Sequence, residues 1–552
     1  MTFQDMLLIT LFATMLVVGS LWLGEYLARV YSGQFRAFLA VEALMLRFAG
    51  VDGSAAMNWR TYAAALLWFN LFGFGVVFGL QLTQAWLPLN PQNLPNVAGW
   101  SAFNTAVSFV TNTNWQGYAG ETTLSYLTQM FGLAVQNFVS AATGLSVAVA
   151  LARGLAGRSA HDLGNFWVDL IRSIVYLLLP LSLALAVMLI GQGVVQSYEP
   201  YVVARTLAGQ EQVIPLGPAA SQIAIKMLGT NGGGFFNANG AHPFENPTPL
   251  SNTVQLLSIL LIPGACTILF GRLVGDIRQG WSLFGAMLIL FAVGLATALW
   301  SQVSFGTLEG QELRFGPVSS TLWAVATTAA SNGSVNAMHS SLTPLTGLVA
   351  LVNMQLGEVV FGGVGAGLYG ILMHVIVTVF VAGLMVGRTP EYLGKKIESL
   401  EVRLAMFAII APNAVILILA PLAAVTAPGL SSLANAGPHG LTEILYAYSS
   451  AANNNGSAFA GLNANTDFYN ATLGLAMLIG RFGVIVPVLA IAGSLAQKRY
   501  TPPSAGTFPT HRPLFAGLLV AVIVIIGALT FFPAATLGPI IEHFLMLQGR
   551  VF

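Results

Sequence analysis

Ten apolar runs, near residues 6–23, 61–87, 123–151, 167–190, 251–271, 281–300, 345–386, 404–425, 467–495 and 514–535, are long enough to cross a bilayer as helices. A hydrocarbon core about 30 Å thick needs roughly 20 residues at a rise of 1.5 Å each. A chain built this way cannot cover a water-soluble core: 7% of its residues are charged and 56% are hydrophobic, whereas a soluble domain has about a quarter charged. The expected fold class is an all-α polytopic membrane protein with ten transmembrane helices. The opening M-T-F-Q-D-M-L-L carries Asp5 and no Lys or Arg before its apolar run, so it reads as a retained first span rather than a secretory signal.

Four shorter segments lie between the long runs, near 101–110, 219–228, 319–329 and 442–452. As helices each reaches only about 15 Å, too little to span. Each is expected to dip in and out of one face, and each ends in a neutral stretch rich in Asn, Thr, Ser and Gly. These are T-N-T-N-W-Q at 111–116, G-T-N-G-G-G-F-F-N at 229–237, A-S-N-G-S at 330–334 and N-N-N-G-S at 453–457. Aligning Asn114, Asn231, Asn332 and Asn455 gives separations of 117, 101 and 123 residues. Eight of the ten helices are thereby predicted to form four pseudo-fourfold repeats of helix, pore helix, filter loop and helix around a central pore. The repeats read as 61–151, 167–271, 281–386 and 404–495, flanked by a first helix over 1–30 and a last over 514–535.

Non-helical backbone at membrane depth must be answered by protein, water or ions, because lipid cannot do it. A short helix aiming its C-terminal end at such a loop favours a cation there. Neutral oxygens can strip a monovalent cation and still release it. The predicted constriction is Thr113 and Asn114, Thr230 to Gly232 with Asn231, Ser331 to Gly333 with Asn332, and Asn454 to Gly456 with Asn455; Asn112 and Asn453 stand in the layer behind. Gly233 and Gly234 extend the flexible backbone of the second loop. In the first loop Trp115 and Gln116 stand where the others have Gly followed by Gly or Ser, so perfect fourfold geometry is not expected. Gln116 has two readings, near the ion or bracing the Trp115 backbone.

Several charges are costly at their positions. Lys226, just before the second loop, needs a carboxylate or loop carbonyls behind it, or else faces the lower vestibule and limits ion occupancy. Arg481 either reaches the pore interior or pairs with another subunit. Glu358 adjoins G-G-V-G-A-G at 362–367, inside a run too long for one straight span. A broken helix is expected there, with Gly362, Gly363, Gly365 and Gly367 either gating the pathway or allowing close helix packing. Glu358 either draws ions or bonds the freed backbone. Glu121 and Asp467 attract cations at the mouth or cap helices, and His242 and Glu245 brace the outer mouth. His339 and His374 read as satisfied membrane histidines, without a metal site beyond the transported ion, and the lone Cys266 reads as buried and inert.

The connections around Arg29–Arg60, Arg153–Arg172, Arg272–Arg278, Arg388–Arg403 and Lys498–Arg512 hold 16 of the 21 Lys and Arg residues. They fall on one side, which is cytoplasmic by the positive-inside tendency. The filter loops and both termini then face outward. A net charge of +1 and the lack of a basic face argue against nucleic acid as a partner. No G-x-x-x-x-G-K-[ST] phosphate loop occurs, nor H-E-x-x-H or G-x-S-x-G. The chain is therefore expected to be no enzyme by itself and to bind no nucleotide.

The four loop motifs, with G-T-N-G-G-G-F-F-N-A-N-G-A-H-P-F-E-N-P-T-P at 229–249 the most specific, closely resemble those of the KdpA family, the potassium-transporting subunits of bacterial Kdp P-type ATPase complexes. The resemblance covers essentially the whole chain. It implies K+ as the transported ion and a filter at the segments named above. The implied partners are a P-type ATPase catalytic subunit, an accessory subunit with a periplasmic domain, a small single-span subunit and lipid of the bacterial inner membrane. It also implies that ions pass sideways through the membrane portion toward the ATPase subunit, with the break at 362–367 obstructing direct passage. The alternative from the architecture alone is a stand-alone cation channel or symporter.

Overall fold

In the computed structural model, residues 1–157, 162–385, 387, 389–502 and 507–550 are described. Arg158, Val386 and Arg388, which enter the charge and span expectations above, lie outside them. Ten helices among the described residues are long and apolar enough to cross a membrane. In chain order the main elements are α1 (Phe3–Tyr31), α2 (Leu39–Phe48), α3 (Trp59–Thr83), α4 (Gly99–Val110), α5 (Thr128–Ala156) and α6 (Phe166–Gly191). There follow the hairpin β1 (Val202–Arg205) and β2 (Glu211–Ile214), then α7 (Ala219–Leu228), α8 (Pro249–Leu273), α9 (Ile277–Phe305), α10 (Gly316–Ala329), α11 (Pro344–Gln355) and α12 (Ala366–Met385). The chain closes with α13 (Ser399–Val425), α14 (Gly437–Ala452), α15 (Asp467–Gln497) and α16 (Pro513–Leu547).

Local chemistry sets the helix starts. Thr2 and Asp5 form a capping box on α1, Thr248 and Ser251 another on α8, and Asn58 and Thr466 cap α3 and α15 with their side chains. Each supplies partners for amides that no preceding turn can satisfy. Proline in the first turn of α8, α10, α11 and α14 removes an N–H that would have no acceptor there. Asp467 sits in the first turn of α15 beside that Thr466 cap, where its charge favours the helix.

Burial separates an inner shell from an outer one. In α5 and α8, 83% of the most apolar window is buried, and in α12 72%, against 17% for α1 and 22% for the helix that continues α3 to Trp86. The short helices α4, α7, α10 and α14 are also mostly enclosed, α7 the most: every residue of α7 except Ser221 is buried. They cannot span, and they hold the loops that follow them at the centre.

The run expected to break does so over a longer stretch than G-G-V-G-A-G. The helix stops at Gln355 and resumes at Ala366, with left-handed backbone at Gly357, Glu358, Gly362 and Gly365. Gly367 lies in the first turn of α12, not in the loop. The connection 192–218 carries the two-stranded hairpin β1–β2, and a second short pair, Glu391–Tyr392 with Lys395–Lys396, lies before α13.

Candidate ion site

Four loops follow α4, α7, α10 and α14, and they share one backbone pattern. Each has two left-handed residues flanking one of ordinary hand: Asn112 and Asn114, Thr230 and Gly232, Ser331 and Gly333, Asn454 and Gly456. At the middle position the N–H of Thr113, Asn231, Asn332 and Asn455 donates to the carbonyl five residues earlier, that of Ser108, Lys226, Thr327 and Ser450, at 2.9, 2.9, 3.2 and 2.8 Å. This corrects the sequence alignment by one residue in the first loop: Thr113, not Asn114, corresponds to Asn231, Asn332 and Asn455. Asn114 stands where the other loops have glycine. At those glycines a Cβ would overlap the next loop's backbone, Asn332 O for Gly232, Asn455 O for Gly333 and Thr113 O for Gly456. Only a residue without Cβ fits such an approach and a positive φ together.

The loops meet in a closed ring. The Asn112 amide donates to Thr230 O at 2.9 Å, and the Asn231 amide to Asn112 Oδ1 at 2.6 Å, joining the first loop to the second. Asn332 Nδ2 donates to Lys226 O at 3.2 Å, and Asn455 Nδ2 to Thr327 O at 3.0 Å. Ser331 Oγ donates to Asn454 O at 3.0 Å, and Asn454 Nδ2 to Thr113 Oγ1 at 3.0 Å, which closes the circuit. Asn112 thus lies in the ring and not behind it, whereas Asn453 bonds back to Ser449 O.

Thr113, Asn231, Asn332 and Asn455 are wholly buried. Among the described residues no N–H or O–H group donates to the carbonyl oxygen of any of the four. A buried backbone carbonyl is rarely left without a partner, and leaving one so costs about 1–3 kcal/mol. Four at one position of the ring offer a set of neutral oxygen donors, the donor type that suits a monovalent cation.

Gln116 Oε1 accepts from Gly234 N at 2.9 Å, so its amide braces the second loop. With Asn114, Gly233, Gly333 and Gly456 it lines a cavity of about 450 Å3, the mouth cavity, to which all four loops contribute. A Cβ added at Gly363 would stand 3.0 Å from the Ser331 Cβ and 3.4 Å from Thr230 Oγ1, and Val364 N donates to that Oγ1 at 2.9 Å. The helix break therefore lies directly against the second and third loops. Beside it is a small cavity of about 60 Å3, lined by Ser331, Glu358, Tyr369, His374, Asn454 and Arg481 among others. Arg481 donates to Tyr369 Oη at 3.3 Å and to Ser140 O at 3.1 Å. Glu358 is buried, and its Oε1 has no hydrogen-bond partner.

Lys226 is wholly buried and pairs with Glu245, donating also to Asn239 Oδ1 at 2.8 Å. Glu245 is thus interior, while His242 stacks on Phe236 at 4.2 Å between ring centres. Burial holds the His242 pKa below its ordinary value, opposed by the Glu245 charge. At the mouth, Glu121 Oε2 accepts from Asn237 N at 2.9 Å, and burial raises its pKa. His339 Nδ1 bonds the Tyr446 hydroxyl and His374 Nδ1 the Gly370 carbonyl. Cys266 is buried. Sequence reasoning missed Asn239, which also donates to Gly232 O at 2.9 Å, and Ser140, whose Oγ donates to Asn112 Oδ1 at 2.7 Å. A usable signal existed in the second Asn-Gly of this segment, at 239–240.

Fold and site together define a polytopic helical membrane protein with a central ring of neutral, oxygen-bearing loops. The family model described as "Potassium-transporting ATPase A subunit" matches residues 9–544, and the chain belongs to that KdpA family. Similar proteins include one from Herpetosiphon aurantiacus, 57% identical with 98% of each chain covered, and one from Methylococcus capsulatus, 56% identical with 96% of each covered. One from Pseudomonas aeruginosa is 55% identical over 98% of this chain and 99% of its own. All three are named potassium-transporting ATPase potassium-binding subunit.

Proposed function

We propose that this chain is the K+-binding and translocating subunit of an ATP-driven potassium importer. Its selectivity filter is the ring at Asn112–Asn114, Thr230–Gly232, Ser331–Gly333 and Asn454–Gly456. The observation that carries this reading is the set of four buried, unanswered carbonyls at one position of a closed circuit of loops. Such a circuit can replace the hydration shell of a monovalent ion without a fixed negative charge that would hold it. K+ enters from the mouth cavity, sheds water in the ring and meets the break at 356–365. The break obstructs straight passage and turns the ion into the small cavity beside Glu358 and Arg481.

In this reading 61–151, 167–271, 281–386 and 404–495 are four pore repeats, and the third carries the break in its second helix. The chain is then no enzyme by itself, and the work comes from a P-type ATPase subunit. An accessory subunit with a periplasmic domain and a small single-span subunit complete the complex in the inner membrane, with the filter and both termini toward the periplasm. The test replaces Gly232 with Asp in the assembled complex and measures K+ binding and K+/Na+ discrimination. Loss of both is expected; if both survive in a stable complex, the ring is not the filter.

A further inference from the structure

We infer that Glu245, acting through Lys226, sets the spacing between the second and third loops of the ring and with it the ion selectivity. This rests on the filter reading and names the residues that tune it. The position five residues before the ring's middle residue is Ser108 in the first quarter, Thr327 in the third and Ser450 in the fourth, but Lys226 in the second. Three quarters have a small hydroxyl there. The second has a buried ammonium, so it needs a counter-charge that the others do not.

Glu245, nineteen residues on, supplies it from beyond the loop. Its other oxygen accepts from Phe236 N at 3.0 Å, which fixes the segment leaving the second loop. The ammonium also holds Asn239 by Oδ1, leaving the Asn239 amide to donate to Gly232 O at 2.9 Å. That same Oδ1 accepts from Ser334 Oγ of the third loop at 2.8 Å. The cluster therefore grips both sides of the seam at which Gly232 abuts the Asn332 carbonyl. The Lys226 carbonyl grips it a second time, accepting from Asn231 N, Gly232 N and Asn332 Nδ2. A neutral ring cannot draw its stiffness from its own charges, and here a buried ion pair lends stiffness while the ammonium is kept turned away from the ion.

Glu245 is thus a positioning residue, tested in the whole purified complex through ATPase activity stimulated by K+ and by Rb+, with Gly232→Ala as the reference variant. Glu245→Gln is expected to raise the half-saturating K+ concentration about tenfold, a change of 1.4 kcal/mol, to raise Rb+ stimulation relative to K+, and to leave maximal turnover unchanged. The double variant Lys226→Gln, Glu245→Gln leaves no unpaired buried charge and should return the K+ requirement to within about threefold of the parent. Where Glu245→Gln does not assemble, Ser334→Ala removes only the third-loop grip and should shift the Rb+/K+ ratio in the same direction. An unchanged ratio and K+ requirement in Glu245→Gln, or in Ser334→Ala where that is the variant measured, overturns the inference if Gly232→Ala has lost selectivity. If Gly232→Ala is also unchanged, the filter reading fails and the inference falls with it.

Discussion

Two regions at the centre of this protein leave helical geometry, the ring of four loops and the break at 356–365, and both depend on left-handed backbone. In the ring, every left-handed pair is cross-linked to the next loop by a side-chain amide or hydroxyl or by a carbonyl against a glycine. In the break, four of the ten residues are left-handed, and Gly362 N and Val364 N are tied outward to Ala329 O and Thr230 Oγ1. Glycine serves both. In the ring it admits the next loop's carbonyl and locks loop to loop, whereas in the break Gly365 admits Gly144 O of α5 and Gly362 lets the chain turn back against Glu358 O and Gly367.

The largest effect should come from undoing the lock. Gly232→Ala puts a methyl into the Asn332 carbonyl on left-handed backbone, so loops two and three must part. We expect a loss of K+ affinity of about a hundredfold or more, roughly 3 kcal/mol, read by isothermal binding to the assembled complex. Affinity within threefold of the parent would mean the ring is not rigid at this seam, and the contrast with the break would vanish.

Glu358 is the corresponding probe of the break. Its Oε1 is buried without a hydrogen bond beside the small cavity, while the Asn455 side chain and the Arg481 charge act on the carboxylate, and a buried carboxylate in such a place is a candidate for the ion's path. Glu358→Gln is expected to lower maximal K+ flux about tenfold, or 1.4 kcal/mol of barrier, while leaving K+ affinity at the ring unchanged. A change in affinity with flux intact would instead make the break part of the binding site. A milder version is Gly363→Ala. Its Cβ would sit 3.0 Å from the Ser331 Cβ, a contact that a small shift of the break relieves, so we expect turnover to change by about threefold or less. A hundredfold loss would show the break to be as rigid as the ring.

Much of this was legible in the chain because the bilayer constrains length so strongly. All ten spans and all four short helices follow from apolar runs and a fixed rise per residue. The register of the first loop did not, because matching Asn with Asn ignores backbone handedness, and an Asn can occupy the left-handed position that Gly holds elsewhere. The partner of Lys226 was hidden for another reason. Its carboxylate lies across an irregular loop, where no helical or strand period says which side chains meet. The upstream reach of the break was equally opaque, since Gly357 and Glu358 do not belong to the glycine cluster that marks it.

The smallest expected effect concerns how far the mouth contributes to the contrast. Glu121 is the acidic group that holds Asn237 at the rim of the mouth cavity, and burial raises its pKa above the ordinary carboxylate value. The sign follows from the charged form being the disfavoured one. Its stability contribution is fully present below the ordinary carboxylate value and is lost as pH rises through the raised folded value. The attraction for cations runs the other way, present above that raised value and fading as the outer solution is acidified toward it. Half-saturating K+ should therefore rise about twofold on acidification through this range in the parent. Glu121→Gln, which retains an oxygen to accept from Asn237 N, should show the higher value at all pH with the slope removed. If the variant keeps the parent's slope, the mouth contributes no charge, and ion recognition belongs to the neutral ring alone.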